Sequence, residues 1–137
     1  MTNNACRVYV VDDEILIATT LAAILKEHGF DCTYFTDPSK VLETIVLSPP
    51  HVLVSDVMMP GLTGIDLAFE VWKVCPNCKV FLMSALDSVE HMLPQRPPHG
   101  ATFQFFNKPF HPEQLLNALK LQISFGSQSG GVPFACI

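Results

Sequence analysis

Charge is scarce in this chain. Only 15% of its 137 residues are charged, and eight lysines and arginines stand against thirteen aspartates and glutamates, for a net charge of −5. Binding to nucleic acid phosphates needs a basic patch, and this balance argues against one. Apolar residues make up 49% of the chain, which excludes a disordered polyelectrolyte and leaves room for one buried core. Long apolar runs are missing as well. The stretch from Ile15 to Leu25 is interrupted by Thr19 and Thr20 and falls short of the ~20 residues of a membrane span. The segment Met1 to Arg7 has no apolar signal core, and Cys136 lies too close to the end for a prenylation box. These absences lead to the expectation of a cytoplasmic domain with no membrane and no direct nucleic-acid partner.

Several kinds of chemistry lack their residues. Neither G-x-x-x-x-G-K-[ST] nor G-x-G-x-x-G occurs, and the glycines between Gly126 and Gly131 open no helix, so no phosphate-cradling loop is present. His28, His51, His91, His99 and His111 show no ligand spacing, and His111 before Pro112 reads as a neighbour of a helix cap. Of the five cysteines (Cys6, Cys32, Cys75, Cys78 and Cys136), Cys75 and Cys78 form C-x-x-C, the pattern of a redox pair or half a zinc site. A redox pair opens a helix, whose N-terminus lowers the thiol pKa. This pair instead precedes the apolar run Val80 to Met83, and no second pair completes a zinc site. Free thiols are expected.

What is present alternates. Val8 to Val11 is a continuous apolar run, as expected of a strand buried on both faces. A helical stretch follows, with Ile15, Ala18, Ala22 and Leu25 on one face and Gly29 closing it. Cys32 to Phe35 reads as a more polar strand at a sheet edge. Asp37 offers an N-cap with Pro38 in the first helical position, Val41, Leu42 and Ile45 form the next face, and Pro49 and Pro50 end that helix. Val52 to Val54 is the third strand. The loop from Met58 to Gly64 leads to a helix carrying Ile65, Ala68 and Trp72. Val80 to Met83 and Phe103 to Phe106 are the fourth and fifth strands, and Pro112 opens a helix with Leu115, Leu116, Leu119 and Ile123 inward. Between Ser84 and Gly100 the prolines at 94, 97 and 98 degrade the fourth crossover to a turn or two near Asp87 to Met92. Residues 1–125 form the domain, and 126–137, rich in Gly and Ser, a flexible tail. Strands alternating with helices predict an α/β fold with a parallel sheet covered on both faces.

Ligands of such sheets bind outside the carboxyl ends of the strands. Asp12 and Asp13 follow the first strand, Asp56 the third, Ser84 the fourth and Lys108 the fifth. Any one of these has an ordinary explanation as a cap or a turn residue. Together they place three carboxylates, a hydroxyl and an ammonium on one edge. Three clustered carboxylates call for a hard cation such as Mg²⁺, which takes one or two carboxylates together with phosphate oxygens. One carboxylate can then attack phosphorus, with the metal and the lysine balancing charge on the phosphoryl oxygens.

Val-Val-Asp12-Asp13-Glu14, Val-Ser-Asp56-Val-Met-Met-Pro60-Gly61-Leu-Thr-Gly64, Met83-Ser84-Ala85 and Asn107-Lys108-Pro109-Phe110 resemble, in order, the motifs of response-regulator receiver domains. The likeness covers about residues 5–124 and implies a stand-alone, doubly wound five-stranded parallel sheet of strand order 2-1-3-4-5. It implies Asp56 as phosphoacceptor, and Mg²⁺ held by Asp13, Asp56 and the Met58 carbonyl, with Asp12 acting through water. It further implies Ser84 as the switch hydroxyl coupled to Phe105, Lys108 as the cationic partner, and a cis bond to Pro109. The implied donor is a sensor histidine kinase or phosphotransfer protein, the output an unidentified downstream protein, and the chain a regulatory phosphoacceptor rather than an enzyme. The chain departs from the family at Met58 and Leu86, where many receivers are polar, which predicts a drier site and a longer-lived aspartyl phosphate. Phe105 lacks the usual phenolic oxygen, so its switch would work by packing alone. The competing readings are a pseudo-receiver acting as a constitutive interaction module, and a phosphatase on a related sheet.

Overall fold

In the computed structural model, residues 5–84 and 103–128 are described, the last seven of them by their backbone. The elements run β1 (Arg7–Val11), α1 (Ile15–Glu27), β2 (Asp31–Phe35), α2 (Pro38–Thr44), β3 (Val52–Asp56), α3 (Gly64–Val74), β4 (Lys79–Ser84), β5 (Phe103–Asn107) and α4 (Pro112–Gln128). The five strands form one parallel sheet in the order β2-β1-β3-β4-β5. The expected degraded crossover at 85–102 lies outside the described residues. α4 runs to Gln128, into the stretch expected as tail.

Burial explains the strand compositions. β1 and β3 are central, and each has helices on both faces, so Val8–Val11 and the whole of Val52–Asp56 are buried. β2 is an edge strand with only Cys32 buried, which fits its polar sequence, and β5 at the other edge is half-covered. Side chains alternate across the sheet. Tyr9, Val11, Leu53 and Leu82 face α2 and α3, packing on Val41, Ile45, Ile65, Ala68 and Trp72. Val8, Val10, Val54 and Phe81 face α1 and α4, packing on Ala22, Leu25, Leu115 and Leu119. Burying one such side chain contributes about 1.5–3 kcal/mol.

The caps set the helix limits. Asp37 accepts from the Ser39 N–H at 3.0 Å with Pro38 in the first turn, and Thr63 accepts from the Asp66 N–H at 3.1 Å. His111 is a cap itself: its Nδ1 accepts from the Glu113 N–H (3.2 Å), and its own N–H donates to Gln114 Oε1 (3.0 Å). Gly29 takes φ +91°, the left-handed geometry that ends α1. Two expectations are corrected. α2 stops at Thr44, well before Pro49, and Val46 and Leu47 beyond it are exposed. Ile15 is 53% exposed because it occupies the first turn of α1, above the edge of the sheet, while Leu21 joins Ala18, Ala22 and Leu25 inside.

Cys75 and Cys78 lie in the core at the C-terminal end of α3, far from the helix N-terminus that redox chemistry needs. Against the expectation of free thiols, Cys75 is disulfide-bonded; Cys78 carries a free thiol, and burial pushes its pKa upward. Burial likewise pushes the Cys6 and Cys32 thiols up to about 12.

Candidate functional site

The strand order reverses between β1 and β3: β1 connects outward to β2, β3 the other way to β4. A crevice opens at such a switch point, above the carboxyl ends of both strands. The acidic residues meet there. Asp12 follows β1 with its residue fully buried, Asp13 beside it is exposed, and Asp56 ends β3 and is 7% exposed. One carboxylate oxygen from each lies within 4.8 Å of the others. Ser84 ends β4 and is buried, and Lys108 follows β5.

Backbone hydrogen bonds hold these positions. The Val57 N–H donates to Met83 O (2.9 Å), continuing the β3–β4 pairing one step past Asp56, and the Lys108 N–H donates to Ser84 O (2.8 Å). The bond from Lys108 to Pro109 is cis, as the resemblance implied. Asp12 Oδ1 accepts from the Glu14 N–H at 2.9 Å, so this carboxylate also shapes the entry to α1. Its Oδ2 accepts from Lys108 Nζ at 2.8 Å, while Nζ stands 3.5 Å from Asp56 Oδ1. The lysine thus joins two of the three carboxylates.

The electrostatics follow from that crowding. Burial pushes the Asp56 carboxyl up to about 6. Lys108 works against this, and the charges of Asp12 and Asp13 add to it. Burial works against the Lys108 ammonium, but the bonds to Asp12 and Asp56 outweigh it and hold Lys108 above its ordinary value. A cluster with more negative than positive charge, open on the Asp13 side and made of oxygen donors, fits a hard divalent cation such as Mg²⁺.

Sequence reasoning missed the floor of the site. Gly64 opens α3 directly against β3: its N–H donates to Val57 O (2.9 Å), and a Cβ there would lie 2.3 Å from Asp56 O. Ser55 Oγ donates to the same carbonyl at 2.9 Å. A glycine at a helix start, where most residues serve better, was the available signal. The rim was legible in part: Met58 was singled out from the sequence, and Leu16 was not. Leu16 is 78% exposed and Met58 49%, and a groove of about 560 Å³ runs from Lys108 past Pro109 and Phe110 to Leu16 and Thr20. The switch pair is reached in part: Ser84 is buried at the site, while Phe105 is 40% exposed on β5. Leu86 lies outside the described residues.

Residues 8–120 match the response regulator receiver domain family, and the chain belongs to that family. Its members are the phosphoacceptor modules of two-component signalling and bind Mg²⁺ at an acidic site. The chain is 30% identical over 114 residues to the chemotaxis protein CheY of Thermotoga maritima, covering 82% of this chain and 93% of that one. It is 32% identical over 117 residues to the DNA-binding transcriptional regulator NtrC of Escherichia coli K12, covering 85% of this chain but only 24% of NtrC. The chain therefore spans about a quarter of that relative's length. The structure of the T. maritima response regulator TrrA, in complex with Mg²⁺-BeF, superposes with a TM-score of 0.71 at 25% identity, covering 85% of this chain and 97% of that one. No helix among the described residues is long and apolar enough to cross a membrane.

Proposed function

We propose that this chain is a phosphorylation-controlled signalling receiver in which Asp56 accepts a phosphoryl group from the phosphohistidine of a sensor kinase or phosphotransfer protein. The observation that supports it most is the meeting of the Asp12, Asp13 and Asp56 carboxylates within 4.8 Å, with Lys108 bonded among them. Asp13, Asp56 and the Met58 carbonyl would hold Mg²⁺, with Asp12 acting through water. Bound there, the ion supplies charge neutralisation for the phosphoryl oxygens.

In the transfer, an oxygen of the ionised Asp56 carboxylate attacks phosphorus. The P–O bond forms, the P–N bond of the donor breaks, and the imidazole leaves carrying a proton. Lys108 sits where its ammonium can pass from Asp56 to a phosphoryl oxygen while keeping Asp12 as its anchor. The buried Ser84 hydroxyl would close on another oxygen, and Phe105 would respond by packing. The apolar rim of Leu16 and Met58, with the groove beside Lys108, offers the donor a surface to rest on. The chain acts through a downstream protein and in the cytoplasm, as a regulatory phosphoacceptor rather than an enzyme with a substrate of its own.

Incubation with Mg²⁺ and acetyl phosphate, followed by intact mass, tests this reading. One phosphoryl group should be added, and none without metal or in Asp56→Asn. Absence of both an adduct and Mg²⁺ binding would favour a constitutive interaction module instead.

A further inference from the structure

Four aromatic rings between α3 and β5 pack as one series. The Phe69 centroid lies 5.7 Å from Trp72 and 6.1 Å from Phe103, Trp72 lies 5.2 Å from Phe103, and Phe103 lies 6.0 Å from Phe105. Exposure rises along it: Trp72 is 2% exposed, Phe103 is half-buried and Phe105 is 40% exposed. Phe103 and Phe105 are two residues apart on one strand and so share a face of the sheet. The series begins in the core beneath α3 and ends at the surface.

The same helix begins against Asp56. The Gly64 backbone sits so close to the Asp56 carbonyl that even a methyl group would not fit between them, and Gly64 is hydrogen-bonded to Val57 at 2.9 Å. A shift of the backbone at Asp56 must therefore move the start of α3, since close-packed contacts transmit displacement. Trp72 lies about 12 Å further along the helix at 1.5 Å per residue. Its indole N–H donates to Cys78 O at 2.8 Å, which fixes the ring against the start of β4.

We propose that α3 is a second, mechanical connection between Asp56 and the β5 edge. Occupation of Asp56 displaces the β3–α3 loop, α3 carries Trp72 against Phe103, and Phe103 resets the exposed Phe105 ring. This route is separate from the one through Ser84, and it supplies a packing input to a side chain that lacks a phenolic oxygen. Phe103 is a positioning residue within it. The inference rests on Asp56 being the phosphoacceptor.

The test uses protein labelled with fluorophenylalanine, titrated with Mg²⁺ and fluoroberyllate, a stable stand-in for the phosphoryl group. Fluorine resonances of bound fluoroberyllate report occupation, the Phe105 resonance (assigned with Phe105→Leu) reports the edge, and emission of Trp72, the single tryptophan, reports α3. In the wild type both Trp72 and Phe105 should respond. In Phe103→Leu the Trp72 response should persist and the Phe105 shift should be lost, and in Phe103→Tyr, which keeps the ring, both should remain. A Phe105 shift undiminished in Phe103→Leu would overturn the proposal. So would a silent Trp72 in wild-type protein with fluoroberyllate bound, a result that needs no variant to fold. If no fluoroberyllate binds at all, the reading of Asp56 fails, and this inference fails with it.

Discussion

Asp56→Asn should make the metal-free protein more stable, although it removes the proposed phosphoacceptor. Burial and two neighbouring carboxylates raise the folded-state pKa of Asp56 from 3.8 to about 6, against the pull of Lys108. The folded state therefore binds this proton more tightly than the unfolded chain does. The penalty is fully present above pH ~6, shrinks as pH falls from there toward ~4, and vanishes below that. Two pKa units correspond to about 3 kcal/mol, and water reaching the open side of the cluster reduces this to about 1–2 kcal/mol. Urea unfolding in the presence of EDTA would read the difference as a midpoint increase of about 0.5–1.5 M at pH ~8. The gain should drop to about half at pH ~5, where the wild-type carboxyl is largely protonated. Asparagine keeps the size of the side chain, so packing changes little. A variant less stable than wild type at pH ~8, or a gain that ignores pH, would show that Asp56 is not held under electrostatic strain.

Three further outcomes follow from the site. Gly64→Ala places a Cβ 2.3 Å from Asp56 O and should cost about 2–4 kcal/mol in thermal or urea unfolding, and a loss below about 1 kcal/mol would mean that the β3–α3 junction yields freely. Lys108→Ala leaves the fully buried Asp12 without its 2.8 Å partner and should destabilise the metal-free protein by about 2–3 kcal/mol, with Mg²⁺ restoring more stability than it adds to wild type. Met58→Asn puts a polar group on the exposed rim beside Asp56 and should shorten the aspartyl phosphate lifetime by about three- to tenfold, or roughly 0.7–1.4 kcal/mol of barrier, as followed by the decay of the phosphorylated mass; an unchanged lifetime would dismiss Met58 as the cause of a dry site.

Much of the fold was legible because its signals are local. The apolar run Val8–Val11 of β1 and the polar β2 announce centre and edge, since a strand covered on both faces is apolar along most of its length. Asp37-Pro38 marks the start of α2 because its cap needs only residues two apart. The same locality misled at the other end of α2. Pro49 stops a helix, but the chain had already left the helix after Thr44, and nothing in Ile45-Val46-Leu47 records that turn.

The site divides along the same line. That Asp12, Asp13, Asp56, Ser84 and Lys108 belong together could be read from the sequence, because each stands at the C-terminal end of a strand, and parallel strands bring those ends to one edge. Which atoms touch could not. The Lys108 bond to Asp12 spans 96 positions of sequence, and the raised Asp56 carboxyl reflects burial and charges arriving from other strands. The contact of Gly64 with Asp56 and the aromatic series from Trp72 to Phe105 depend on how α3 seats on the sheet. By itself, the sequence determined the order of strands and helices and the chemical types gathered at one edge, because periodicity and strand-end placement are written locally. Only the tertiary structure decided distances, proton affinities and which helix leans on Asp56, because those depend on packing between segments that the chain keeps far apart.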